Sequence, residues 1–184
     1  MPLKLFLITL GCKPNGRHTE QHDVFFGIGY SLKDLLPEMK KFWPGVKLHI
    51  DSWKEVTVAD GHLVKIAAKE ENISRNENKL FFLNLGGYKP NDLEEYHYKL
   101  LCVAKEKGDA IKQAKQTAFY THTGFKGAAS HIDDKYGIDV DDVYEIADIL
   151  PRKLKDKYFI IVEKGLQPLA EDELHIGYLK LSSL

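Results

Sequence analysis

The 184-residue chain is 43% hydrophobic and 29% charged, with 26 basic against 27 acidic side chains. This is the composition of a folded globular chain, and its near-zero net charge supplies no global field for a phosphate backbone or an anionic membrane. No stretch approaches the ~20 apolar residues of a membrane span, and two distant cysteines, Cys12 and Cys102, form neither a disulfide framework nor a cysteine-rich zinc motif.

The N-terminal run KLFLITLGC (4–12) is almost continuously apolar and ends at Gly11-Cys12. A lipoprotein signal and a strand covered on both faces share that pattern. The run returns in mid-chain: KLFLITLGCKPN at 4–15 is matched by KLFFLNLGGYKPN at 79–91, with Cys12 replaced by Gly87. A cleaved signal has no reason to recur, so residues 3–10, and again 79–85, are read as strands and the protein is expected in the cytoplasm.

The match continues in order. Glu20 and His22 fall on Glu95 and His97, Asp34 on Asp109 and Lys40 on Lys115, an offset of 75. Beyond an insertion near 117–130 the offset becomes 82, placing His49-Ile50-Asp51 on His131-Ile132-Asp133 and Asp60 on Asp142. Ordered self-similarity of this kind reads as an internal duplication.

Each copy then resolves into elements. DVFFGIG (23–29) and YKLLCVA (98–104) are second strands. A helix follows, with Asp34 and its match Asp109 as expected N-caps; capping at Asp34 puts Pro37 in the first turn, where its missing N–H is harmless. Leu35, Leu36, Met39, Phe42 and Trp43 share one face of that helix, and Pro44-Gly45 ends it. VKLHIDS (46–52) and HLVKIAA (62–68) are further strands, joined across the turn signal Asp60-Gly61. SHID and VYEIADIL match them in the second copy.

The fold class is therefore α+β: two tandem ββαββ repeats related by a pseudo-twofold, with mainly antiparallel sheets and packed helices. Residues 1–70 form the first repeat, 71–78 a polar linker and 79–151 the second repeat. In the remaining segment, 152–184, the strands KYFIIVEK and ELHIGYLKL are expected to pair as a C-terminal β-hairpin covering a sheet edge.

His49-Ile50-Asp51 is the leading candidate for chemistry. On a regular strand His49 and Asp51 point to one face and Ile50 to the other, close enough for imidazole and carboxylate to share a divalent metal ion. His22, Asp23, Asp60 and His62 can complete such a site if the strands converge. The second-repeat counterparts are His97, His131, Asp133 and Asp142, and Glu20 and Glu95 are placed to orient the matched imidazoles. The plainer reading is a structural lock, in which buried His and Asp satisfy each other or the loop backbone, and Asp60-Gly61 is simply a hairpin turn. Trp53 shares strand parity with His49 and Asp51, so it is expected to form an aromatic wall beside them, suited to a small organic ligand or a peptide. The insertion THTGFKGAAS (121–130) is the candidate mobile loop.

The pattern KLFLITLG, E-x-H-D, LHID and V-A-D-G resembles the bacterial family known as domain of unknown function 1543, which carries one or two copies of its domain per chain. The resemblance covers about residues 3–150 and rests most specifically on Glu20-Gln21-His22-Asp23, His49-Ile50-Asp51 and Asp60-Gly61. It implies no activity or cofactor. The second copy departs from the pattern, with Tyr98 at the Asp23 position and Val143 at the Gly61 position.

Two functions follow from these features. The first is a cytoplasmic binding or interaction module with a cleft between two unequal repeats, taking a small molecule or a protein partner. The alternative is a metal-dependent enzyme, a hydrolase, using the His/Asp cluster of the first repeat. Neither nucleic acid nor membrane is expected as a partner, and a homodimer through exposed strands fits both readings.

Overall fold

The computed structural model describes residues 2–70, 77–88, 93–116 and 138–184. The chain divides into two units, Met1–Arg75 with Ile149–Leu184, and Asn76–Asp148. The strands pair antiparallel throughout, with few helices, which is an α+β architecture.

In the first unit, β1 (Lys4–Cys12) runs between β2 (Gln21–Gly29) and β3 (His49–Val56). Its apolar run is explained by that central place, because side chains on both faces are covered. Phe6, Ile8 and Leu10 of β1 point to one face and form a core with Phe25, Ile50, Leu32, Leu35 and Met39. Fully burying a side chain of this size contributes about 1.5–3 kcal/mol. This shared cluster holds the helix against the sheet.

The helical segment begins before Asp34 with a 3-10 turn, and the α-helix itself begins after it. A 3-10 turn at Leu32–Leu35 precedes α1 (Leu36–Phe42), and Asp34 Oδ2 accepts from Tyr30 N, Ser31 N and Ser31 Oγ at 2.9–3.1 Å. Asp34 thus secures the turn from inside it, with Ser31 at the N-cap. Pro37 still falls in the first turn of α1. In the second unit, likewise, Glu106 is the N-cap of α2 (Lys107–Ala114), and Asp109 sits within its first turn.

A second sheet joins β4 (Val58–Ala59), β5 (His62–Ala68) and β9 (Tyr158–Lys164). The turn between β4 and β5 is a two-residue hairpin with positive φ at both central residues, Asp60 at 49° and Gly61 at 70°. That is the Asp-Gly type I′ geometry, whose twist matches the flanking strands. The expected C-terminal hairpin does not form. β9 pairs with β5, whereas β10 (His175–Lys180) pairs with β3, so each closes an edge of a different sheet. The segment between them is tied down by Asp172, whose carboxylate accepts from Thr57 N, Val58 N and Thr57 Oγ1.

In the second unit β6 (Lys79–Tyr88) runs between β7 (Glu95–Ala104) and β8 (Ile138–Glu145). Phe81, Leu83 and Leu85 form its core with Cys102, Ala104, Ala110 and Ala114. VYEIADIL is split: the strand ends at Glu145 and Ile146–Ile149 forms the short helix α3, followed by α4 (Arg152–Lys155). Among the described residues this unit runs ββα, then β8, then α3, and no second hairpin strand matches β5.

Strand register relates the two units differently from the sequence match. Gly11 faces His49 and Leu10 faces Ile50, with a bulge between Thr9 and Leu10. Gly86 faces Asp139 and Leu85 faces Val140, with a bulge between Asn84 and Leu85. Asp139-Val140-Asp141 therefore occupies the place of His49-Ile50-Asp51, an offset of 90 rather than 82. Asp142 faces Asn84, as Ser52 faces Thr9, and has no correspondence to Asp60. His131, Asp133 and the 121–130 insertion lie outside the described residues, as does most of the 71–78 linker.

Candidate metal centre

The site is built on one transverse row of the first sheet. Gly11 of β1 faces His22 of β2 on one side and His49 of β3 on the other. Cross-strand partners share a face, so both imidazoles rise on the side of the sheet away from Leu10 and Ile50. Glycine between them leaves the space over the central strand open. A Cβ on Gly11 would overlap His49 Nε2 and lie 2.6 Å from Asp51 Oδ2.

The β3 bulge delivers the fourth residue. Regular alternation already predicts His49 and Asp51 on one face, but the bulge makes Asp51 the unpaired extra residue and lets its carboxylate lean over Gly11. The same bulge reverses the parity beyond it. Trp53 faces Ile8 and packs against the core cluster, 6.2 Å from the Phe6 ring and stacked on His175 at 4.0 Å. It is not the aromatic wall that regular alternation predicts. Tyr178 takes that place instead, its ring 4.4 Å from the His49 ring.

Four side chains converge. His22 Nε2 lies 3.1 Å from Asp51 Oδ2 and 3.8 Å from Glu20 Oε2; His49 Nε2 lies 3.2 Å from both Asp51 Oδ1 and Glu20 Oε1. Donor atoms of Glu20, His22 and His49 all fall within 4.8 Å of one another. Metal–ligand bonds of ~2.1 Å in a tetrahedron separate neighbouring donors by about 3.4 Å, close to these spacings. The His49 side chain is only 5% exposed, whereas those of Glu20 and His22 are 46% and 43% exposed.

The orientation of these groups matters as much as their distance. His49 Nε2 and Asp51 Oδ2 are both buried and neither has a partner in hydrogen-bond geometry, although opposing atoms stand at hydrogen-bond distance. A buried polar atom left this way is costly unless something else satisfies it. A cation bound among these donors would satisfy both atoms. The donor set of two imidazoles and two carboxylates fits zinc, iron(II) or manganese.

The remaining candidates lie elsewhere. Asp23 faces Leu10, on the opposite side of the sheet from His22, and its Oδ1 accepts from Val24 N at 2.7 Å. Asp60 and His62 flank the hairpin turn, where His62 Nδ1 donates to the Asp60 carbonyl at 2.7 Å. Cys12 is buried next to the site; burial, and secondarily the Glu20 carboxylate, push its thiol pKa up. In the second unit His97 faces Gly86, and its Nδ1 lies 3.2 Å from Asp141 Oδ2. Sequence reasoning placed Glu20 only as an orienting residue and overlooked Gly11. The recurrent Leu-Gly at 10–11 and 85–86 was the available signal for the glycines.

Fold and site together define a sheet-based α+β protein with a candidate metal centre in its first unit. Residues 17–66 match the model of DUF1543, a domain of unknown function, and this segment holds Glu20, His22, His49 and Asp51. Among solved structures, the chain is similar to the crystal structure of a protein Il1583 from Idiomarina loihiensis, at 24% identity and a TM-score of 0.63. That similarity covers 97% of each chain and shows a shared fold. No curated protein matches the chain. No helix among the described residues is long and apolar enough to cross a membrane.

Proposed function

We propose that this protein binds a divalent transition-metal ion in its first unit, through His22, His49, Glu20 and Asp51. The observation that carries the reading is His49 Nε2: buried, without a hydrogen-bond partner, and 3.2 Å from two carboxylates. A structural lock between His49 and Asp51 would align an N–H with an acceptor, and this pair does not. Gly11 supports the same reading, because the donors fill the volume that any side chain would take. The His22-Asp23 dipeptide contributes only its histidine.

Four protein donors favour binding over catalysis. Structural zinc sites are closed by four protein ligands, while catalytic ones keep a position for water. The hydrolase alternative requires one donor to give way to water. Glu20 is the donor suited to that, being half-exposed and anchored just before β2 instead of within it. A bound ion would then act as a Lewis acid toward a substrate reaching the exposed side, with His22, His49 and Asp51 holding it.

The test is thermal unfolding of metal-stripped protein with individual divalent ions. An ion at 100 times its dissociation constant adds about 2.7 kcal/mol, which raises the melting point by several degrees for a chain of this size. The shift is expected with wild type and with His62→Ala, and is expected to vanish in His49→Ala. Equal shifts in wild type and His49→Ala, or no shift with any ion, would refute the proposal. If binding is found, hydrolysis of a generic ester or phosphoester substrate by Glu20→Ala and wild type separates the closed from the open form.

A further inference from the structure

We infer that the metal centre of the first unit takes an oxyanion, the carboxylate or phosphate group of a small molecule, on its exposed side, with Lys180 and Tyr178 of β10 as the residues that bind it. The inference rests on the reading of this site as a metal centre, and it names the class of ligand that enters when Glu20 gives way.

Register is the first support, because the transverse row that builds the centre does not end at His49. Lys180 of β10 pairs with His49, so the row reads Lys180, His49, Gly11 and His22 across all four strands of the sheet. Leu179 pairs with Ile50 and packs against the core cluster. Its neighbours on either side, Tyr178 and Lys180, therefore face the opposite way, toward the metal donors. Two residues of β10, Gly177 and Tyr178, stand opposite the single Asp51, and Gly177 takes a φ of 141° that favours glycine. Tyr178 thereby reaches the His49 ring, 4.4 Å between centroids.

Charge is the second. Glu20 and Asp51 together neutralise a divalent cation held among the four donors. Lys180 then adds an exposed ammonium beside a neutral centre, and among the described residues that ammonium makes no ion pair. Withdrawal of the half-exposed Glu20 carboxylate leaves the ion and Lys180 with excess positive charge facing solvent. The group that replaces Glu20 is therefore favoured as an anion over a neutral oxygen.

Shape is the third. The Tyr178 ring covers His49, whose side chain is 5% exposed although it stands on the outer face of the sheet. Tyr178 itself remains 62% exposed, so the rest of its ring can carry the organic part of a ligand. Ion, ammonium and aromatic ring together match a carboxylate or phosphate joined to a small, flat organic group.

Cobalt(II) added to the metal-stripped full chain tests this by visible absorption, since its bands change with the ligands around it. The bands are expected to appear with cobalt, to change when benzoate or phenylphosphonate is added, and to stay as they are with benzyl alcohol. The half-saturating anion concentration is expected to rise about tenfold in Lys180→Met, as for loss of one hydrogen bond to a charged group. It is expected to rise in Tyr178→Ala and to recover in Tyr178→Phe, which keeps the ring. Lys65→Met, on the other sheet of the unit, is expected to match wild type. The tighter of the two anions assigns the group as carboxylate or phosphate. Absence of any cobalt spectrum overturns the metal reading and this inference with it; a cobalt spectrum that ignores both anions overturns this inference alone. An equal response to benzyl alcohol overturns the preference for an anion, and a wild-type response in Lys180→Met overturns the assignment of Lys180.

Discussion

At the scale of single residues, Gly11 connects sequence to site most directly. Its φ is unremarkable for a strand, so alanine fits the backbone but not the space. Gly11→Ala is expected to displace His49 and Asp51 and abolish the metal-induced melting shift. Apo stability is expected to move by no more than about 1 kcal/mol, because alanine gains in the strand what crowding removes. Differential scanning fluorimetry with and without zinc reads both effects. Cys12 gives a second residue-level prediction. Burial and the Glu20 carboxylate raise its thiol pKa, so the thiolate is scarcer at neutral pH than for a free thiol. Alkylation by iodoacetamide at pH 7.5 is expected to be slow in native protein and to proceed readily in urea. Rapid native labelling would contradict the burial.

Within elements, local signals and tertiary geometry part company at identifiable places. Asp34 is legible in the sequence as a helix-start residue, yet it acts three residues into the turn by accepting from Tyr30, Ser31 N and Ser31 Oγ. Asp34→Ala is expected to cost ~1 kcal/mol in urea unfolding, as for loss of a capping residue. The Asp60-Gly61 turn follows directly from its dipeptide. Strand β3 is where periodicity fails. A period of two puts Trp53 with His49, but the bulge at Asp51 turns Trp53 to the core. Bulges leave no reliable mark in a single sequence because they are set by pairing with the neighbour. The same limitation holds in the second unit: His131-Ile132-Asp133 has the closer spelling, but register places Asp139 opposite Gly86.

Across the whole molecule, the C-terminal strands are structural members of the first unit. β9 completes the sheet of β5, and β10 borders β3 while placing Tyr178 against His49. A chain ending at Leu150 would leave β3 and β5 each with an open edge, and open edges of this kind promote association. Such a truncation is expected to aggregate or to lose cooperative unfolding, measured by light scattering and circular dichroism. Both tryptophans, Trp43 and Trp53, lie in the first unit. Zinc is therefore expected to delay the unfolding transition followed by tryptophan fluorescence.

The α+β class, the recurrence of the apolar β1 run at β6, the Asp-Gly hairpin and the candidacy of His22, His49 and Asp51 are legible in the unfolded chain. These follow from composition, periodicity and turn chemistry, all of which act over a few neighbouring residues. That Glu20 lies beside His22 and His49, that Asp23, Asp60 and His62 lie elsewhere, and that 152–184 splits between two sheets emerges only on folding. Those outcomes depend on strand register and a bulge, which arise from pairing between segments far apart in the chain.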